Sequence, residues 1–291
     1  MPELPEVETV RCGLAPVLVG RPLLRVEARR PDLRFPLPEH FAARLKGRAF
    51  ERLDRRAKYL IGHLEGGDAL IMHLGMTGRF TIAAREGAET LGQYVYGQSA
   101  DPRHDHVVFH FPDDVAVVYN DARRFGFMVM TPARDLDDHP LMRALGPEPL
   151  SEALTADYLS ERAAGRKVNL KALLMDQRVV AGLGNIYVSE ALHRAHLSPD
   201  RSAGSLATRG GAARSARLVQ TIKDVLEDAI AAGGSTLRDY RHTDGSRGGF
   251  QEKFFVYDRD GERCRQPGCR GIVQRTVHQG RATFFCPVCQ R

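Results

Sequence analysis

Two sets of side chains carry chemistry by type and spacing. Near one end of the sequence, four residues separate Cys264 from Cys269, sixteen follow before Cys286, and two separate Cys286 from Cys289. Two short-spaced thiol pairs with a hairpin-length gap are the pattern of a tetrahedral four-thiolate zinc site. Buried thiols or disulfides are the alternative, and paired spacing in a chain without secretory features argues against it. At the other end, Met1 precedes Pro2, whose small side chain permits removal of the initiator methionine. Pro2 would then be a free secondary amine beside the carboxylate of Glu3, a plausible nucleophile and acid–base pair. Pro5 and the acids Glu3, Glu6 and Glu8 also suit the first turn of a helix, where proline and negative charge are favoured. The local pattern alone favours that plainer reading.

These groups need a scaffold. With 291 residues the chain is expected to form two domains, each with its own core. Its hydrophobic fraction, 43%, is that of a soluble globular protein. A net charge of +6 points to an anionic partner without separating nucleic acid from an acidic protein or a membrane surface. No apolar run approaches spanning length and the start is acidic, so a cytoplasmic protein is expected. Cys12 reads as a buried free thiol.

Val7, Val10, Leu14 and Leu18 recur at helical spacing after Pro5. Then come short strands: Pro22 to Arg30, Lys58 to Leu64, Ala69 to Leu74, His106 to Phe111, Val115 to Tyr119 and Phe125 to Met130. Turn residues between them argue for an antiparallel β-sandwich. Its loops are basic. Arg52, Arg55, Arg56 and Lys58 cluster before one strand; His73, Gly75, Met76 and Gly78 follow another; Arg103, His104, His106, Arg123 and Arg124 gather in two more. Cations beside Met76 and Phe125 suit a nucleic-acid groove, where charges meet phosphates and apolar wedges enter the base stack. Taken alone, Phe125 is better placed in a core.

From Thr131 to Asp138 the pattern changes, and after Pro147-Glu-Pro149 it is helical. Ser151 and Thr155 are cap candidates, with helices expected over Asp157 to Ala164, Val168 to Met175, Ile186 to Ala195 and a long one ending before Gly233. Gly182-Leu-Gly-Asn185 joins two of them. Such a turn can aim backbone N–H groups and Asn185 at a phosphate, although glycine caps are the simpler reading. Arg166, Lys167 and Lys171 nearby strengthen the phosphate reading. Arg238 to Phe250 reads as a surface loop. Ile272 to His278 and Arg281 to Phe285 read as two strands turning at Gln279-Gly280, with Arg281 near the tip.

In combination these segments resemble the formamidopyrimidine-DNA glycosylase family over essentially the whole length. The resemblance rests on Pro2-Glu-Leu-Pro-Glu-Val-Glu-Thr9, Arg56-Ala-Lys-Tyr59, His73-Leu-Gly-Met76, Arg123-Arg-Phe-Gly126, Gly182-Leu-Gly-Asn-Ile-Tyr187 and Gly280-Arg-Ala-Thr-Phe284, in that order and ending in the cysteine pairs. It implies an α+β fold: a catalytic β-sandwich flanked by helices over residues 1–133, a helical helix–two-turn–helix domain with a lesion loop over 134–250, and a zinc hairpin over 251–291. It implies base-excision repair of oxidised purines (8-oxoguanine and formamidopyrimidines) in duplex DNA, with Pro2 attacking C1′ of a flipped nucleotide. Glu3 would serve as acid and base, Lys58 would assist β-elimination, and Arg281 would protonate in δ-elimination. His73, His104, Arg123, Lys167 and Asn185 would touch DNA, and Arg166 is added to them on its local charge pattern; Met76, Arg123 and Phe125 would fill the gap left by the flipped base. One structural zinc would sit on the four cysteines, and nothing requires more than a monomer.

The chain departs from that pattern in its wider first cysteine pair and in Ala122, where many relatives have proline. An endonuclease VIII-type enzyme acting on oxidised pyrimidines, and a zinc protein that binds lesions without catalysis, are the rival readings.

Overall fold

A computed structural model of the chain describes residues 1–83, 101–235 and 249–291. Most of the expected surface loop, residues 238–248, lies outside them. The chain forms two compact units, Met1–Arg143 with Ala232–Gly249, and Ala144–Ala231 with Phe250–Arg291. Among the described residues no helix is long and apolar enough to cross a membrane.

The first unit opens with helix α1, Leu4–Leu18, whose Val7, Val10, Leu14 and Leu18 are all buried at the expected spacing. Strands follow: β1 Arg25–Ala28, then the short helix α2 Phe41–Leu45, then β2 Phe50–Arg56, β3 Tyr59–Leu64, β4 Asp68–His73, β5 Arg79–Ala83, β6 Asp105–His110, β7 Ala116–Asn120 and β8 Phe127–Pro132. They form two antiparallel four-stranded sheets, ordered β1-β6-β7-β5 and β2-β3-β4-β8. Leu60, Leu70 and Met72 of one sheet join Phe80, Phe109, Val117 and Tyr119 of the other in a single core, so the sandwich reading holds.

Two expectations need correction, and one strand is additional to those expected. Arg52, Arg55 and Arg56 belong to strand β2 rather than to a loop. A register shift between Phe50 and Arg52 puts the buried residues Phe50 and Leu53 three apart, which breaks the two-residue alternation that marks a strand. Strand β5, Arg79-Phe-Thr-Ile-Ala83, is an additional strand that follows directly on the Gly75–Gly78 turn. Cys12 is exposed, on the solvent side of α1.

The second unit holds helices α3 Ala156–Ala163, α4 Leu170–Met175, α5 Asn185–Arg194 and α6 Gly211–Ala231, then the hairpin β9 Gln274–His278 and β10 Arg281–Phe285. Thr155 caps α3 by accepting from the Tyr158 amide, and Asn169 caps α4 by accepting from that of Ala172. Helix α6 packs against α3 and α5, and α5 packs against β10. The hairpin turns at Gln279 and Gly280, both with positive φ (49° and 73°), a turn matched to the twist of paired strands.

Candidate active site

Chain termini usually fray. Here the start is fixed. Pro2 is buried, Glu3 is 3% exposed and Glu6 is 2% exposed, whereas Met1 is 48% exposed. Glu3 is the N-cap of α1, and its amide donates to Glu6 Oε2 at 2.9 Å. The other oxygen of Glu6 accepts from the backbone amide of Ser235 (2.8 Å) and from its hydroxyl (2.9 Å). One turn on, Glu8 accepts from Arg55 Nε at 2.9 Å, and Arg55 in turn donates to the carbonyl of Ala57 at 3.0 Å. Burial alone would raise the Glu8 pKa, but Arg11 and Arg55 outweigh it and hold the carboxyl below its ordinary value. Ala57 (φ 53°) and Lys58 make the two-residue turn between β2 and β3, and Lys58 is 6% exposed. The first half of α1 and the turn carrying Lys58 are therefore tied through Arg55, by one ion pair and one hydrogen bond.

His73 ends β4, directly across from Tyr59 on β3 and Phe127 on β8. Its ring lies 5.1 Å from that of Tyr59 and 5.2 Å from that of Phe127. Burial, then the nearby charges of Lys58 and Arg34, lower its pKa to about 4. Its Nδ1 accepts the amide hydrogen of Gly75 at 3.0 Å, so the proton of the neutral ring sits on Nε2. His73 is thus a neutral donor.

The next groups depend on Asp121, which sequence reasoning missed. This fully buried carboxylate accepts from Thr77 Oγ1 (2.5 Å), the Gly126 amide (2.8 Å) and the Tyr119 hydroxyl (3.2 Å). Thr77 also accepts from the Arg123 amide at 3.1 Å, so the Met76 turn and the Arg123–Phe125 turn are one assembly. A side chain at Gly75 would collide with the backbone of Phe125, which is why glycine is required there. The only sequence signal for Asp121 is a lone acid closing an apolar strand before an arginine pair. Phe125 is 45% exposed, and the Arg123 guanidinium lies over its ring at 4.8 Å. The local reading that placed Phe125 in a core is overturned. Met76 and His104 are half-buried, and Arg123 is exposed.

In the second unit Arg166 and Lys167 are exposed, but Lys171 is not a surface cation. It is 2% exposed, and its Nζ donates to the Ala282 carbonyl (2.9 Å) and Thr283 Oγ1 (2.6 Å). It anchors strand β10 instead of offering charge to a phosphate. Asn185, the first residue of α5, donates to the same Ala282 carbonyl at 2.9 Å and to the Tyr257 hydroxyl at 3.4 Å. The preceding turn is braced by Gln177, which donates to the Leu183 carbonyl (2.8 Å) and accepts from the Gly182 amide (2.9 Å). Arg281, beside the doubly held Ala282, is exposed. Glu190 of α5 is fully buried and accepts from the amides of Phe255, Val256 and Tyr257 at 2.9, 3.0 and 2.9 Å.

The sulfurs of Cys264, Cys269, Cys286 and Cys289 lie within 4.8 Å of one another and could hold a metal ion. Cys264 and Cys289 are 3.7 Å apart, as are Cys269 and Cys286. A tetrahedral ion with metal–sulfur bonds of about 2.3 Å needs sulfurs about 3.8 Å apart, a spacing that these two pairs match. The wider first pair is accommodated by Gly268 (φ 76°), and the Gln266 and Gly271 amides donate to Cys264 and Cys269 sulfurs at 3.4 and 3.3 Å.

A β-sandwich opening on a fixed Pro2-Glu3, and a helical unit closed by a four-cysteine hairpin, define the architecture of a helix–two-turn–helix DNA glycosylase. Residues 1–128 match the model of the formamidopyrimidine-DNA glycosylase N-terminal domain, and residues 145–241 that of the family's H2TH domain. The chain belongs to the formamidopyrimidine-DNA glycosylase family. It is 57% identical to the formamidopyrimidine-DNA glycosylases of Azorhizobium caulinodans and Phenylobacterium zucineum, over 100% of both chains in each comparison. It is also similar to a Lactococcus lactis FPG variant in complex with Fapy-dG-containing DNA, with a TM-score of 0.86 and 32% identity over 100% of both chains. A structure of the wild-type Lactococcus lactis protein with DNA containing an oxidised pyrimidine matches with a TM-score of 0.85 at the same identity and coverage.

Proposed function

We propose that this protein is a base-excision repair enzyme that releases oxidised purines from duplex DNA and then cuts the strand at the resulting site. One observation carries the reading: Pro2 and Glu3 are buried and the Glu3 amide is held by Glu6 at the start of α1, so the amine that removal of Met1 would create is held in one place beside a carboxylate.

In this reading Met1 is removed and the Pro2 nitrogen bonds to C1′ of a flipped nucleotide as the C1′–base bond breaks. The nitrogen loses its proton and its lone pair then expels O4′ from C1′, opening the sugar ring to an iminium while O4′ takes a proton from Glu3. An α-amino group with a pKa of ~8 is partly neutral at physiological pH, as a nucleophile must be. Glu3 exchanges protons with the sugar. Loss of the C2′ proton, assisted by Lys58, expels the 3′ phosphate; a second elimination, with Arg281 as proton donor, expels the 5′ phosphate. His73, with its proton on Nε2, donates to a phosphate as a neutral group. His104, Arg166 and Lys167 are further backbone contacts. Asn185 would exchange its long 3.4 Å bond to Tyr257 for a phosphate oxygen while keeping Ala282. Met76, Arg123 and Phe125 fill the space of the flipped base, and the exposed ring of Phe125 with its stacked guanidinium suits that task.

The metal at the four cysteines is a single zinc, and it is structural, since four thiolates leave no open position for substrate. The functional division is a catalytic sandwich over 1–133, a DNA-binding helical part over 134–250 and a zinc hairpin over 251–291. The enzyme acts as a monomer on damaged DNA in the cytoplasm.

Borohydride trapping on an 8-oxoguanine duplex, followed by peptide mass mapping, tests the core of this reading. A covalent adduct on Pro2 is expected, and an N-terminal extension should abolish it. Tight binding without an adduct would instead make the chain a non-catalytic lesion binder. A parallel duplex with an oxidised pyrimidine, the ligand of the Lactococcus lactis structure, measures preference; faster release from it than from 8-oxoguanine would favour the endonuclease VIII-type reading.

A further inference from the structure

Behind the cysteine cluster stands a histidine that the proposed chemistry does not use. His193 lies near the end of α5 and is 0% exposed. Its Nε2 is 3.3 Å from Cys264 Sγ, in the first cysteine pair, and 3.7 Å from Cys289 Sγ, in the second. Its other ring nitrogen, Nδ1, is buried and has no hydrogen-bond partner among the described residues. The ring leans on Phe255 at 5.4 Å, whose own amide is held by Glu190 one turn earlier on the same helix. The four mutually close donor atoms are the cysteine sulfurs alone, so His193 stands outside the ligand set.

This geometry selects a tautomer. A proton on Nδ1 would be a buried donor with nothing to receive it, and the lone pair of Nε2 would then face two electron-rich sulfurs. A proton on Nε2 removes both penalties, leaving only a buried acceptor at Nδ1. We infer that His193 is a positioning residue for the metal site: its Nε2–H donates to the Cys264 thiolate, with Cys289 as the second sulfur within reach. The bond draws charge from a sulfur whose negative charge would otherwise repel its neighbours. It also joins one ligand of each cysteine pair to α5, the helix whose Asn185 holds Ala282 beside Arg281. Outer groups that hydrogen-bond a metal ligand fix its orientation, and their loss typically weakens metal binding 10–100-fold.

The inference rests on the proposed metal at the cysteines, so the experiment begins with the zinc content of the intact parent protein. The rate of zinc release to excess chelator is then compared for the parent, His193→Phe and His193→Gln. Phe keeps the ring against Phe255 without a donor; Gln keeps an N–H at nearly the same place. Release 10–100-fold faster from H193F, with slow release restored in H193Q, is the expected result. A parent without zinc would overturn the metal reading and the inference together. A zinc-loaded parent with H193F unchanged, or H193Q as fast as H193F, would overturn the inference alone. Nitrogen-15 NMR of the unsubstituted protein gives a check that needs no variant: the ring proton is expected on Nε2, and a proton on Nδ1 would refute the assignment. Cobalt substitution of the parent should give a four-thiolate spectrum, and a three-thiolate, one-imidazole spectrum would make His193 a ligand instead.

Discussion

Packed between Tyr59 and Phe127 and facing the charges of Lys58 and Arg34, His73 is held near pKa 4, against 6.5 for an exposed ring. The folded state therefore binds fewer protons than the unfolded chain between these values. Stability from this residue is complete above pH 6.5 and is lost as pH falls toward 4, by about 3 kcal/mol over the window. NMR titration should place the midpoint of His73 near 4; a midpoint above about 7 would leave the ring largely charged at physiological pH and sink the neutral-donor role. Glu3 makes a second test at this scale. Replacing it with Gln keeps the shape of the cap but removes the proton exchange, so base release should fall by about 10²–10⁴-fold while DNA affinity changes little. Single-turnover release and equilibrium binding on the same duplex check it, and equal losses in both would indicate misfolding instead.

The recognition turns behave as one element because Asp121 joins them. Its carboxylate receives three hydrogen bonds, from Thr77, Gly126 and Tyr119. Asp121→Asn would oppose an amide hydrogen to one of those donors, at a cost of about 2–4 kcal/mol. Denaturant unfolding followed by circular dichroism measures it, and a change below about 0.5 kcal/mol, the size typical of a surface substitution, would show that the turns hold without the carboxylate. How much of this could be read beforehand follows from distance along the chain. The helix α1, most strands, the hairpin turn at Gln279-Gly280 and the cysteine pairs are local patterns, and they were legible. Thr77 and Asp121 are 44 residues apart, and Lys171 and Ala282 are 111 apart. Pairings at that range leave no local mark, so the sequence does not distinguish Asp121 from an ordinary turn acid or Lys171 from a surface cation. Strand β2 was hidden for a different reason: its bulge disturbed the alternation that would have revealed it. Residue types at the site were legible mainly through resemblance; the exposure of Phe125 required the fold.

On the scale of the molecule, the net charge of +6 matters through where mobile cations sit. Several arginines are already paired with carboxylates: Arg11 and Arg55 share Glu8, Arg48 pairs with Asp68, Arg103 with Asp101 and Arg178 with Asp176. Arg166 and Lys167 are exposed, and Arg166 lends its carbonyl, not its guanidinium, to Gly204. Each cation that neutralises a DNA phosphate releases counterions and contributes about 0.9 to the slope of log affinity against log salt. If Lys167 is such a contact, Lys167→Ala should weaken binding to damaged and undamaged duplexes alike and flatten that slope by about 0.9. Phe125→Ala should do the opposite, weakening lesion binding with the slope unchanged, since an apolar wedge displaces no ions. Binding isotherms over a salt series for the parent and the two variants separate the two contributions. A slope that stays the same in K167A would remove Lys167 from the phosphate contacts, and a flattened slope in F125A would mean that loss of the ring moves Arg123, whose guanidinium it supports, off the DNA.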